Sequence, residues 1–396
     1  MLRITQATQA YAWGSPTALQ DALALVHEGV LAEAWMGAHA SAPSLANDET
    51  ATSLLDVIGS GARDTLGPDV VNRFGPQLPY LLKVIAAEHP LSLQVHPHID
   101  AARAGYDAED AAGVPLDAPH RNYKDRNHKP ELIYALTQFE AMCGFRAPRR
   151  AAEMFADLDC PLAKELHGIL VEQPSTEGIR EAFTRLLDPA TRPTSDEVGR
   201  LAEVVGARLA DGSPSPRTDR TVVLLQREYP GDPGVVTSML LNPVTLQPGE
   251  AMFVPAGGVH AYLHGVGIEI MASSDNVLRA GLTPKHVDVP ELLRNVDYVA
   301  APPIRIAPEV FHGATKVYYA PVDDFELSVT DIADDDAHPL PGRGPRILLA
   351  LAGELTVATS NDGTLTLAKG EAAFVPASDG RLTVRGRGRL VQADVP

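Results

Sequence analysis

The sequence predicts a mostly β protein, two jelly-roll barrels with an α-helical domain inserted into the first. Three observations predict it. Short apolar runs broken by glycine and proline fill most of the 396 residues. Between residues 147 and 209 apolar residues instead recur every three or four positions. One octapeptide occurs twice.

Up to Arg146, the runs Ala32-Glu-Ala-Trp-Met36, Tyr80-Leu-Leu-Lys-Val-Ile85, Leu91-Ser-Leu-Gln-Val-His96 and Leu132-Ile-Tyr-Ala-Leu136 read as strands among turns. From Ala147 the pattern changes. Ile179, Phe183, Leu186 and Leu187 lie at helical spacing with charges between them, which predicts amphipathic helix. Asp211-Gly-Ser-Pro-Ser-Pro-Arg217 reads as the closing linker, with the β pattern resuming after Thr221. Gly249-Glu-Ala-Met-Phe-Val-Pro-Ala256 then returns as Gly370-Glu-Ala-Ala-Phe-Val-Pro-Ala377, with one mismatch. Each copy is a turn glycine, an alternating strand and a proline corner, as in a strand pair of a jelly roll. The expected division is residues 1–146 plus 221–310 as a metal-binding catalytic barrel, 147–220 as the helical insert, and 311–396 as a second barrel without a metal site.

The first copy extends to Gly249-x5-Pro255-x-Gly257-x2-His260, the spacing of the second metal-binding motif of cupins. The second copy reaches Gly380 without a histidine.

Charge narrows the function classes. With 33 basic and 51 acidic residues the formal charge is -18, which disfavours nucleic acid and anionic membrane surfaces as partners. Aromatic residues make up 5%, too few to point to a base-stacking surface. Cys143 and Cys160 form no CxxC pair, so a reducing cytoplasm with free thiols is expected. The N-terminus carries no signal-peptide pattern and no apolar run approaches membrane-spanning length.

The chemistry concentrates in a few places. In an extended chain Ser92, Gln94 and His96 share one face while Leu91, Leu93 and Val95 share the other. The same alternation recurs at His260, Tyr262 and His264, and between them lies Asn127-His-Lys-Pro-Glu131. Polar residues turned inward on a strand are poor core design unless they bind something. Gln94, His96, Glu131 and His260 offer two nitrogens and two oxygens without sulfur, a set that suits Zn2+, with iron or manganese open on ligand type alone. Lys83 interrupts an apolar strand and needs an anionic partner there. Glu269, between two isoleucines, faces the opposite side and becomes an acid–base group if buried. Asp275, Arg279 and Lys285 follow in an irregular segment.

Five segments resemble the hallmark motifs of type I mannose-6-phosphate isomerases, in that family's order. They are Tyr11-Ala-Trp-Gly14, Leu91-Ser-Leu-Gln-Val-His-Pro97, Asn122-Tyr-Lys-Asp-Arg-Asn-His-Lys-Pro-Glu131, Pro255-Ala-Gly-Gly-Val-His-Ala-Tyr262 and Ser274-Asp-Asn-Val-Leu-Arg-Ala-Gly-Leu-Thr-Pro-Lys285. Gly258-Val259 departs from the family's usual Thr-Pro pair. The resemblance implies an isomerase that interconverts mannose 6-phosphate and fructose 6-phosphate through a metal-stabilised cis-enediol. It implies one Zn2+ per chain on Gln94, His96, Glu131 and His260, and Arg279 as the key catalytic arginine. Lys129, His128 and Glu269 are then candidates for the base, and Asp275 with His128 for ring opening. Trp13, Lys83, Ser92, Tyr262 and Lys285 would line the substrate pocket, with Lys83, Lys285 and Arg279 holding the phosphate. The expected partner is a small sugar phosphate, and the expected state a monomer, with a dimer as the alternative. Two rival readings remain. A metal-dependent cupin dioxygenase would use His96, Glu131 and His260, but needs neither Gln94 nor a phosphate clamp. A non-enzymatic sugar-binding bicupin would bind without conversion.

Overall fold

Long strands with apolar residues on both faces organise the molecule. The computed structural model describes residues 1–47 and 49–396. Its strands form two antiparallel sheets, one of 11 strands and one of 10.

The hub of the first sheet is the strand His260–Ala272. Its C-terminal part pairs with Tyr80–Ala87 on one side and Glu131–Ala135 on the other, while its N-terminal end pairs with Gln94–Val95 and Phe139–Phe145. A register shift between Tyr262 and His264 lets one strand serve both sets of neighbours. That bulge overturns the inward placement expected for His264, which is exposed. The second sheet is built on Arg346–Thr359 and Leu382–Asp394, which pair along nearly their whole lengths.

The sheets stack back to back. Leu132, Phe253, Ile268 and Ile270 from the first share one buried cluster with Leu327, Ile347, Phe374 and Val391 from the second. Side chains between two sheets must come from both inner faces, so on each of these strands alternate apolar residues turn into this cluster. Tyr80 and Tyr318 fix the contact by donating to carbonyls of the opposite sheet: Pro345 at 2.9 Å and Gly249 at 2.9 Å. Each sheet keeps a separate apolar cluster on its far side, around Ile133 and Met252 in one and Leu348 and Ala373 in the other.

The two octapeptides fold alike. Gly249 and Gly370 both sit at positive φ (93° and 85°), which a side chain would strain. Glu250 accepts from the Gln247 amide and Glu371 from the Ala368 amide, each at 2.8 Å. An arginine from the neighbouring strand, Arg305 or Arg3, pairs with that glutamate and caps the carbonyl of Thr245 or Thr366.

Three expectations need correction. Among the described residues helix contributes nearly as much as strand, because five helices the alternation missed, from Ala18–Leu23 to Ile99–Ala111, lie before residue 146. The β pattern does not resume after Thr221. Pro216–Glu228 is a helix, begun by a proline at its first turn, and strand returns only at Leu241–Leu246. The Val222-Val-Leu-Leu225 run reads as strand, yet Thr218, Val222 and Leu225 form a buried helical stripe. The N-terminal strand Leu2–Thr5 belongs to the second sheet, beside Ala372–Val375. Among the described residues no helix is long and apolar enough to cross a membrane.

Candidate metal centre

Alternation through residues 91–96 divides the chain between two environments. Leu93 and Val95 are buried with Leu278 and Ala280 against the helices. Ser92 and Gln94 turn the other way and line a small cavity of about 50 Å³. Lys83, Lys129, Glu131, His260, Tyr262 and Glu269 line it too.

His96, Glu131 and His260, all buried, bring their ligand atoms within 4.8 Å of one another. The His96 Nδ1 lies 2.7 Å from the Asn276 carbonyl, and the His260 Nδ1 lies 3.0 Å from that of Gly258. A ring that donates from Nδ1 keeps its Nε2 lone pair free. Those Nε2 atoms lie 3.1 and 3.3 Å from the two Glu131 oxygens. Burial above all holds His96 down to about 4, so near neutral pH its Nε2 has no proton to share. That atom is fully shielded and makes no hydrogen bond of acceptable geometry. Two nitrogen lone pairs facing one carboxylate repel unless a cation lies among them, so the residues fit a divalent ion with nitrogen and oxygen ligands.

Gln94 completes a row. It pairs directly with His260 on one side and with Arg279 on the other, and opposite residues in a ladder share a face. Arg279 is half-buried, and burial lowers its pKa. Its guanidinium meets no carboxylate within ion-pair reach among the described residues. Lys285 follows on an exposed loop, its pKa lowered first by partial burial and then by Arg279.

A second row runs Trp35, Lys83, Glu269 across adjacent strands. The Lys83 ammonium lies 3.4 Å from Glu269, 3.8 Å from Glu33 and 4.8 Å from the centre of the Trp35 ring. Burial opposes its charge, but Glu33 and Glu269 outweigh burial and raise its pKa. Glu269 is pushed up to about 7, by burial first and then by Glu131, against the pull of Lys83. The shielded Tyr262 hydroxyl, close to Glu269, has no hydrogen bond of good geometry. Lys129 reaches Glu131 at 3.2 Å.

Some expected residues lie elsewhere. His128 bonds Asp324, 3.1 Å away, rather than lining the cavity. It precedes Lys129-Pro130, and the residue before proline is extended, so neighbouring side chains point oppositely. Asp275 is exposed and faces His39 at 3.4 Å. Trp13 stacks on Tyr11 with ring centres 5.7 Å apart and packs against the cluster of Leu91 and Ile133. Glu33 was missed. It lines the cavity, holds Lys83 and accepts from the Trp35 indole at 2.8 Å. Its position in the apolar run Ala32–Met36 was the available signal, the same one that singled out Lys83.

An antiparallel sheet carrying two histidines and a glutamate around one point defines a cupin-type protein with a candidate metal centre. Residues 1–148 match the model of the phosphomannose isomerase type I catalytic domain, and residues 314–395 match that of the mannose-6-phosphate isomerase cupin domain. The chain is 40% identical to the mannose-6-phosphate isomerase of Escherichia coli over 99% of both chains, and 31% identical to the human enzyme over 94% of this chain and 92% of that one. Among solved structures it resembles the apo form of mannose 6-phosphate isomerase from Salmonella typhimurium, with a TM-score of 0.89, 38% identity, and 99% and 98% coverage. It also resembles a mannose 6-phosphate isomerase bound with zinc and yttrium, with a TM-score of 0.88, 38% identity and the same coverage. The chain belongs to the type I mannose-6-phosphate isomerase family.

Proposed function

We propose that the chain interconverts mannose 6-phosphate and fructose 6-phosphate, with one zinc ion held by Gln94, His96, Glu131 and His260. The observation that carries the reading is a small cavity lined by Gln94, Glu131 and His260 together with Lys83, Lys129 and Glu269, with His96 brought against the same carboxylate. The dioxygenase alternative leaves these three charged groups without a task.

Moving a proton between C2 and C1 builds negative charge on the two sugar oxygens. A bound divalent ion supplies Lewis acidity for that charge. The chain supplies the rest. Glu269, raised to about 7, is poised to accept and return a proton near neutral pH, so we assign it the base role. Lys83, pinned between Glu33 and Glu269, keeps that carboxylate in place. Arg279, beside Gln94 and free of internal partners, is available to the developing charge or the phosphate. Lys285 on its loop is the second phosphate candidate. Ser92 and Tyr262 orient hydroxyls, and Trp13 with Tyr11 walls the approach. The small cavity of about 50 Å³ holds little beyond an ion and water, so the sugar phosphate lies across its mouth with only the reacting carbons inside. His128 and Asp275, both engaged outside the cavity, serve ring opening only if they turn inward. Every group named comes from one chain, so we propose an active monomer. We place the enzyme in the cytoplasm, in keeping with two free buried cysteines.

A coupled assay starting from mannose 6-phosphate tests this. Chelation should abolish the appearance of fructose 6-phosphate and added zinc should restore it, with no oxygen uptake. Binding without conversion would leave a sugar-binding protein, and oxygen consumption would favour the dioxygenase.

A further inference from the structure

Two irregular stretches of chain deliver groups to the candidate metal centre. Residues 124–131 bring in Lys129 and Glu131. Residues 273–279 bring the carbonyl that meets the His96 Nδ1, and then Arg279. Strand begins only at Glu131 in the first and at Leu278 in the second, so no ladder sets the position of one against the other before those points.

One side chain does. Asn276 is fully buried, at 0% exposure. Its Oδ1 accepts from the Lys124 amide at 2.7 Å and from the Asp125 amide at 3.2 Å. Its Nδ2 donates to the carbonyls of Asp125 and Asn127, both at 2.8 Å, and to the Asp125 carboxylate at 3.2 Å. A primary amide offers two donors and one oxygen with two lone pairs, so the capacity of Asn276 is fully used. Two neighbours close the same seam. The Ser274 hydroxyl donates to one Asp125 oxygen at 2.8 Å, and the Asp275 amide to the other at 2.7 Å. A buried network with every member satisfied is rigid.

The backbone carbonyl of Asn276 is itself the His96 acceptor, at 2.7 Å. The group that selects the tautomer of His96 therefore hangs on the residue whose side chain grips the approach to Glu131. Three residues further on, Arg279 pairs with Gln94. The seam thus reaches His96, Glu131 and the Gln94–Arg279 row without touching the cavity.

We propose that Asn276 is a positioning residue: its side chain holds the carbonyl that orients His96 in register with the segment presenting Lys129 and Glu131. This rests on the metal-centre reading, and Asn276 acts through His96 and Glu131 rather than on the sugar.

Chelator competition for zinc on the full chain tests it. Asn276→Ala should weaken zinc binding by about ten- to a hundredfold. At saturating zinc its kcat should stay below that of the parent, with a smaller change in KM. Ser274→Ala, a milder cut in the same seam, should act in the same direction by less, and it decides the matter if Asn276→Ala does not fold. Gln20→Ala controls for lost stability alone. Gln20 also ties two loop carbonyls, those of Pro16 and Gly29, and bonds none of the groups named above. That variant should lower Tm while keeping the zinc affinity and turnover of the parent. Parent-like zinc affinity in the seam variants, or equal weakening in Gln20→Ala, would overturn the proposal. A parent chain that binds no zinc would overturn the metal-centre reading itself, and the inference with it.

Discussion

The two octapeptide turns share their glycine, glutamate bond and arginine cap, yet the faces beyond them differ in how they treat buried charge. On the first sheet Glu131, Lys83, Glu33 and Glu269 meet opposite charges within 4 Å. On the second, Arg346 and Asp394 are buried with no ion pair between them, and burial above all pushes Asp394 up to about 8. The repeated turn therefore does not itself dictate a metal centre. A few residues after the corner proline and on two neighbouring strands decide it.

Paired substitutions sharpen that contrast. The largest effect is expected at the corner. His260→Ala should lose the metal and lower turnover by at least about a thousandfold, whereas Arg381→Ala, at the same distance from the second octapeptide, should leave turnover within about twofold of the parent. Stoichiometric zinc in the first variant would show the donor set is misassigned. Next, Arg279→Ala should lower kcat by about a hundred- to a thousandfold with a smaller change in KM. An unchanged kcat would remove Arg279 from the chemistry.

Third, Lys83→Met leaves Glu33 and Glu269 buried without their cation and should cost about 3–5 kcal/mol in thermal unfolding. Ser328 faces Gln392 on the second sheet as Lys83 faces Glu269 on the first, and Ser328→Ala should cost less than about 1 kcal/mol, because no charge is stranded. The same Lys83 variant removes the pull that lowers Glu269. A base works ionised, so the rising limb of the kcat/KM profile near pH 7 should move to higher pH. A limb that stays put would take the base role from Glu269.

The smallest effect lies on the second sheet. Asp394 has a folded pKa of about 8, above its unfolded value. The stability it contributes is therefore fully present below the unfolded pKa and is lost as pH rises through the folded one. Asp394→Asn should flatten the decline of Tm between about pH 4 and pH 8, a slope of at most about 1.4 kcal/mol per pH unit from this group. An equal decline in both proteins would place the sensitivity elsewhere.

Much of this was legible in the sequence because it rests on period-two alternation. Ser92 and Gln94 separate from Leu93 and Val95 by geometry alone, and Lys83 announces its partners by interrupting an apolar strand. The octapeptide showed the duplication, though not that Leu2–Thr5 crosses to the second sheet, since strand pairing is a long-range choice. His264 was misplaced because a bulge leaves no local signature. The helix Pro216–Glu228 was hidden by a β-branched, leucine-rich run whose direction is set by packing. His128 and Asp275 carry the right chemistry, but their side-chain directions depend on a following proline and a distant carboxylate. The buried arginine of the second sheet was invisible because nothing local marks Arg346 as inward.

The most direct measurement is anomalous diffraction at the zinc absorption edge from crystals of the full chain. One peak is predicted, about 2.0–2.2 Å from the Nε2 atoms of His96 and His260, a Glu131 oxygen and the Gln94 amide oxygen. A peak on any other set of side chains, or a second one on the other sheet, would contradict it.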